Sequence, residues 1–237
     1  MLGSNNFIRF PHRVTIALVA MVLTATACGG ANDNSAGSST SSAADSDALV
    51  SVMRSIGEGL DYDLHNSPAI LGDKASLTVI GTVTDVADGR VFGVGETRET
   101  EPAFLNLTLT VQVESVLGGD ESLIRGGLVY VEIGRTKEFP VETFQKATPE
   151  NQRLVLFLDD YTEGLGTFPI IEKAPSIPEG APVLSPYADG FLIEDVSSGK
   201  LIGGFDHLDE LPPAWSEGTT TVDTFTAEHF PSEELAE

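Results

Sequence analysis

Residues 103 to 117 alternate almost without a break. Leu105, Leu107, Leu109, Val111, Val113 and Leu117 occupy one parity, and Asn106, Thr108, Thr110, Gln112 and Glu114 the other. A period of two places successive side chains on opposite faces of an extended chain, so this run predicts a long strand with an apolar inner face and a polar outer one. Residues 76 to 87 (SLTVIGTVTDVA) repeat the pattern, with Leu77, Val79, Gly81 and Val83 opposite Thr78, Thr82 and Thr84, and Ile80 as the exception. The polar segment between them, 88 to 102 (DGRVFGVGETRETEP), reads as a long loop joining an antiparallel pair.

Further strands follow by the same logic. LVYVEI after Gly126-Gly127 has Val129, Val131 and Ile133 on one side, and 153 to 159 (RLVLFLD) is apolar on both faces, as a centrally placed strand would be. Phe191 to Val196 and Lys200 to Phe205 flank Ser197-Ser198-Gly199, a hairpin signal. Thr219 to Thr221 with Val222 and Phe225 suggest a last edge strand. Two short helices precede the strands. Leu49, Val52, Met53 and Ile56 recur at helical spacing, and Ser67-Pro68 supplies a cap and a first-turn proline for a helix over roughly 68 to 74. Five prolines between Pro169 and Pro186 predict a stiff loop over the sheet.

The pattern GTVTDV, LTVQVESVLGG, VYVEI, RLVLFLDDY over roughly residues 75 to 160 resembles small bacterial β-barrel domains of the OB or netrin-like sort. The expected class is thus mainly β: an antiparallel OB-like β-barrel with short N-terminal helices and a C-terminal hairpin extension. Netrin-like inhibitors of animals present an amino-terminal cysteine to a catalytic zinc. That role does not transfer, because the only cysteine here lies beyond a long tether and the disulfides of those inhibitors have no counterpart.

The amino terminus sets the compartment. Arg9 and Arg13 precede the apolar VTIALVAMVL of residues 14 to 23, and the small residues TATAC follow, the order of a signal peptide. That apolar stretch falls short of the ~20 residues a membrane-spanning helix needs. Ala25-Thr26-Ala27-Cys28 resembles the lipobox of bacterial lipoproteins, in the looser, small-residue form of actinobacteria. The resemblance implies cleavage between Ala27 and Cys28, a diacylglyceryl group on the Cys28 thiol and acylation of the new amine. Ala25-x-Ala27 equally satisfies an ordinary secretory cleavage site, which would release a free protein. A lone thiol cannot form an internal disulfide, and chemical modification accounts for its presence outside the cell. Gly29 to Asp47 (GGANDNSAGSSTSSAADSD) has nothing to bury and reads as a tether with an r.m.s. span of about 25 Å. The expected organisation is a signal peptide over 1–27, a lipidated tether over 28–47 and a single β-rich extracytoplasmic domain over 48–237.

From Cys28 onward 36 acidic residues face 11 basic ones, a formal charge of −25. Such a surface repels phosphate backbones, so no nucleic-acid partner is expected. GxSxG, HExxH, GxxxxGK and CxxC do not occur in the sequence, and neither catalysis nor a cofactor or metal is expected. His65, His207 and His229 read as exposed loop histidines. Asp61 and Asp63 open a calcium-like loop that lacks its turn glycine and closing glutamate. Asp159-Asp160 with Asp206, Asp209 and Glu210 could gather a cation from separate loops. Tyr187, Phe191, Phe205 and Trp215 are candidates for a ligand surface or for core packing. The leading expectation is a non-enzymatic binding or scaffolding module of the cell envelope, held at the cell membrane by lipid on Cys28, with its envelope partner unspecified. The alternative is an envelope hydrolase whose carboxylates meet only in the fold, one of them with a strongly raised pKa.

Overall fold

A computed structural model describes residues 46–57, 64–99, 103–164, 166–205, 210–215 and 221–231. The signal-peptide assignment and the tether as far as residue 45, with Ala27 and Cys28, lie outside the described residues, as do Asp61, Asp63, Asp206, His207 and Asp209. Ser46 and Asp47, expected to end the tether, instead begin the first helix, and Ser46 is buried and donates to Gln152 Oε1 at 3.1 Å.

The chain folds as α1 (Ser46–Gly57), α2 (Pro68–Lys74), β1 (Leu77–Gly93), β2 (Ala103–Gly119), β3 (Leu128–Arg135), α3 (Val141–Ala147), β4 (Arg153–Asp160), β5 (Ile170–Glu172), β6 (Leu184–Glu194), β7 (Leu201–Gly203) and α4 (Val222–His229). The strands make one seven-stranded sheet in the order β2-β3-β6-β4-β1-β5, with β7 on β6 and β1 also paired to β2, so five strands form a ring. The mainly β class is as expected, but the sheet is mixed rather than antiparallel. β3 and β6 run parallel, joined by the single bridge Val131–Leu184.

Two hydrophobic cores hold the ring. Inside it, Val79, Val83, Leu107, Leu109, Val111, Val131, Leu154 and Leu156 meet Leu49, Val50 and Met53 of α1 and Phe144 of α3. Outside it, Val155, Phe157 and Leu192 pack under Leu71 of α2, Trp215, and Val222 and Phe225 of α4. β4 therefore buries both faces, as its sequence predicts, and Ile80 breaks the period of β1 because it points into the outer core. Ser67 caps α2 by accepting from the Ile70 amide.

Several expectations are corrected. β1 continues to Gly93 and pairs Phe92 with Phe104, so much of the expected 88 to 102 loop is strand. The outer face of β2 is solvated only in its second half, at Gln112 and Glu114, since Asn106, Thr108 and Thr110 are buried along with Leu107 and Leu109. Thr108 stands opposite Glu132, itself covered by a side chain from β1. The expected final strand is the helix α4. Thr221 caps it by accepting from the Thr224 amide, and this cap outweighs the β preference of the threonines. α3 was not anticipated, although Val141, Phe144 and Ala147 bury one face at helical spacing. The proline-rich loop contains β5, which pairs with the far end of β1.

Candidate functional site

β1 slips against β2 at four places, the last between Asp88 and Val91, where three steps of β1 oppose two of β2. Gly89 lies in this bulge. A Cβ there would come within 2.8 Å of Asn106 Cβ and 2.9 Å of its carbonyl carbon, so only glycine permits the close approach. The bulge turns Arg90 inward, where it is 6% exposed. Arg90 N donates to Glu132 Oε1 at 2.7 Å and Nε donates to Oε2 at 2.8 Å. Its terminal nitrogens donate to the carbonyls of Thr162 and Tyr161, both at 2.7 Å. The guanidinium lies 5.2 Å from the Phe92 ring centroid and 5.1 Å from that of Tyr161. Asn106 Nδ2 donates to Glu132 Oε2 at 3.0 Å, so Glu132, 1% exposed, has a donor on each carboxylate oxygen. Burial, then the Glu132 charge, raises the Tyr161 pKa, with Arg90 and a hydrogen bond to Asn106 opposing, so the phenol stays a protonated donor at neutral pH.

This network forms the floor of a cavity of about 630 Å3. Its walls come from the start of β2 (Phe104, Leu105), from β3 and the residues after it (Ile133 to Glu138), from β6 (Ser185, Pro186, Ala188), and from Ile56 and Phe205. It opens where β6 bows away: between Leu156 and Leu158 of β4 the partner on β6 jumps from Phe191 to Pro186. Arg135 reinforces the wall, donating to Asp88 Oδ1 at 2.6 Å and to the Phe139 carbonyl at 3.3 Å. Phe104 packs on Phe168 with centroids 4.7 Å apart and remains 41% exposed at the rim.

The side chains singled out in the sequence are dispersed. Phe191 and Trp215 are core, and only Phe205 of the four aromatics lines the cavity. Tyr187 joins a cluster on the opposite face of β6. His65 is not a loose loop histidine: its Nδ1 lies 3.0 Å from Asp189 Oδ2, its Nε2 2.9 Å from Lys74 Nζ, and its backbone oxygen accepts from Trp215 Nε1 at 2.7 Å. His229 is half-buried, and burial lowers its pKa. Asp159 accepts from Ser76 Oγ at 2.7 Å, and no group of three or more metal-ligating side chains occurs among the described residues. Among the described residues the carboxyls whose proton affinity shifts, Asp120, Glu138, Glu172 and Asp195, all move below their ordinary values. In each a hydrogen bond to the charged form dominates, from Ser122, Thr136, Arg98 and Ser198 respectively. This is opposite to the raised carboxyl of the hydrolase alternative.

The cavity residues Asn106, Glu132, Arg135 and Tyr161, and Arg90 bonded to Glu132, were not singled out from the sequence as site residues. The available signal was a charged or amide side chain inside a strand: Glu132 within LVYVEI, and Asn106 between Leu105 and Leu107. Compared with known proteins, the chain matches no family model, and no curated protein or solved structure is detectably similar.

Proposed function

We propose that this chain is a lipid-anchored, extracytoplasmic binding or scaffolding module of the cell envelope, and that its ligand sits in the cavity above Glu132. The observation that carries this reading is the preformed floor. Arg90 compensates the Glu132 charge, so the floor meets a ligand through the hydrogen-bonding Asn106 and Tyr161, while Arg135, Thr136, Lys137, Glu138 and Ser185 stand among the apolar residues of the walls. Preformed, mostly apolar hollows of a few hundred Å3 with a few fixed polar groups are the usual form of a ligand site. The five-stranded ring and its bulged β1 support an OB-like relationship for the domain, with the parallel β3–β6 seam as the departure from that pattern.

Gly134 supplies the test. A Cβ added there would meet only Asn106 Oδ1, at 3.9 Å, so larger side chains can enter the cavity without disturbing the strand. In a fragment screen by NMR, ligands are expected to shift the resonances of Gly134, Asn106 and Tyr161, and Gly134→Val is expected to abolish those shifts while the protein stays folded. Fragments that bind only elsewhere, or equally well to the variant, refute the assignment.

The anchor rests on Ala25-Thr26-Ala27-Cys28 and the polar segment after it. One acyl chain holds a protein marginally, whereas two or three hold it firmly at about 0.8 kcal/mol per buried methylene. Wild type is expected to incorporate labelled fatty acid and to sediment with membranes. Cys28→Ala is expected to lose the label and to release processed protein into the medium. An unlabelled wild type, or a mature amino terminus other than Cys28, refutes lipidation.

A further inference from the structure

We infer that the cavity takes an extended peptide, bound as an added strand along the seam between β3 and β6; this rests on the cavity being a ligand seat. The argument turns on which way the backbone points. Val113 N–H donates to the Gly127 carbonyl at 2.9 Å on the β2 side of β3, and Tyr161 N–H donates to the Val183 carbonyl at 2.8 Å on the β4 side of β6. Hydrogen-bonding direction alternates along a strand, so the even-numbered residues of β3, and those of β6 as far as its register shift after Pro186, turn their backbone groups toward the seam. The Val131–Leu184 bridge uses Leu184 with its two even neighbours on β3. The next rung would need an N–H at residue 186 to reach the Glu132 carbonyl, and residue 186 is proline.

The ladder therefore ends after one bridge, and β6 bows outward from Pro186 to Phe191. The Glu132 carbonyl and both backbone groups of Gly134 have no ladder partner among the described residues. These are sheet-edge groups at strand spacing, and an extended backbone is the ligand that matches them. The apolar walls at Phe104, Ile133 and Phe205 suit alternate apolar side chains, and the 36 acidic against 13 basic residues of the chain favour Lys or Arg in the flanks of the peptide.

The test begins with a random nonapeptide display library selected on the full-length protein. An enriched consensus with alternating apolar positions and basic flanks is expected. The synthetic consensus peptide should slow hydrogen exchange at the Gly134 amide, lose binding to Gly134→Val, and weaken about tenfold when a central amide is N-methylated, the worth of about one hydrogen bond. A consensus peptide that tolerates N-methylation throughout is held by side chains alone and overturns the added strand. If no peptide is enriched while fragments still bind at Gly134, the peptide fails and the ligand seat stands. If neither binds, both fail. Protection of Gly134 in the free protein that disappears on deleting residues 29–45, or that accompanies a dimer in sedimentation, would put this chain itself in the seam and overturn a peptide partner.

Discussion

Replacing Glu132 by leucine removes the anion that compensates a buried guanidinium. Glu132 is 1% exposed and Arg90 6% exposed, so water cannot take over from either. Three hydrogen bonds disappear, at 2.7, 2.8 and 3.0 Å. Arg90 keeps the carbonyls of Tyr161 and Thr162, which hold its geometry but do not neutralise it. Breaking a buried pair from one side typically costs about 3 to 5 kcal/mol, because an uncompensated charge stays behind. Glu132→Leu is therefore expected to lose about that much. Arg90→Met is expected to lose a comparable amount, since it strands the Glu132 carboxylate with the Asn106 amide and the backbone N–H of residue 90 as its remaining donors, neither of which neutralises it. The double variant, which removes both charges and fills the space with apolar atoms, is expected to lose less than either single one. Urea denaturation of the four proteins with a common m-value measures the cycle. A loss under about 1 kcal/mol for Glu132→Leu, or a double variant equal to the sum of the singles, would refute a mutually compensating pair.

Leu109→Ala is expected to cost about 2 to 5 kcal/mol, as a large-to-small change in the ring core, and Thr110→Ala markedly less; equal losses in chemical denaturation would refute the inside and outside assignment of β2. The Thr108 hydroxyl is buried without a hydrogen-bond partner, so Thr108→Val, which keeps the shape and removes the stranded group, is expected to hold or raise the melting temperature, and a clear fall refutes it. Burial places the folded-state pKa of His229 below its ordinary 6.5, so as pH falls from 7.5 to 5.5 the unfolded chain takes up the proton first and stability drops; in His229→Gln this part of the pH dependence should vanish, and an unchanged profile refutes it. The Asp195 carboxyl, held down by the hydroxyls of Ser198 and Ser197, contributes stability that is complete above its ordinary 3.8 and lost as pH falls through its lower folded value; an Asp195→Asn protein equal to wild type at pH 7 would refute it.

Local pattern was sufficient wherever one side chain's preference agreed with its neighbours. The alternation of 103 to 117 marked β2, the double-faced apolarity of 153 to 159 marked a strand buried on both sides, and Ser67-Pro68 marked the start of α2. Composition alone set the acidity. Tertiary structure decided what local pattern cannot encode. Thr108 and Thr110 look solvent-facing, but folding covers the first half of the outer face of β2, and Thr221 to Phe225 look extended until the outer core and the Thr221 cap draw them into α4. Arg90, in a stretch that reads as polar loop, becomes buried because Gly89 lets β1 bulge against Asn106 and delivers the guanidinium to a carboxylate 42 residues away. The seam is likewise invisible in either strand by itself. Pro186 is one of several prolines in the sequence, and its missing N–H matters because the ring closure brings β6 beside β3 and sets Pro186 two residues past the Val131–Leu184 bridge, a pairing that sequence order does not contain.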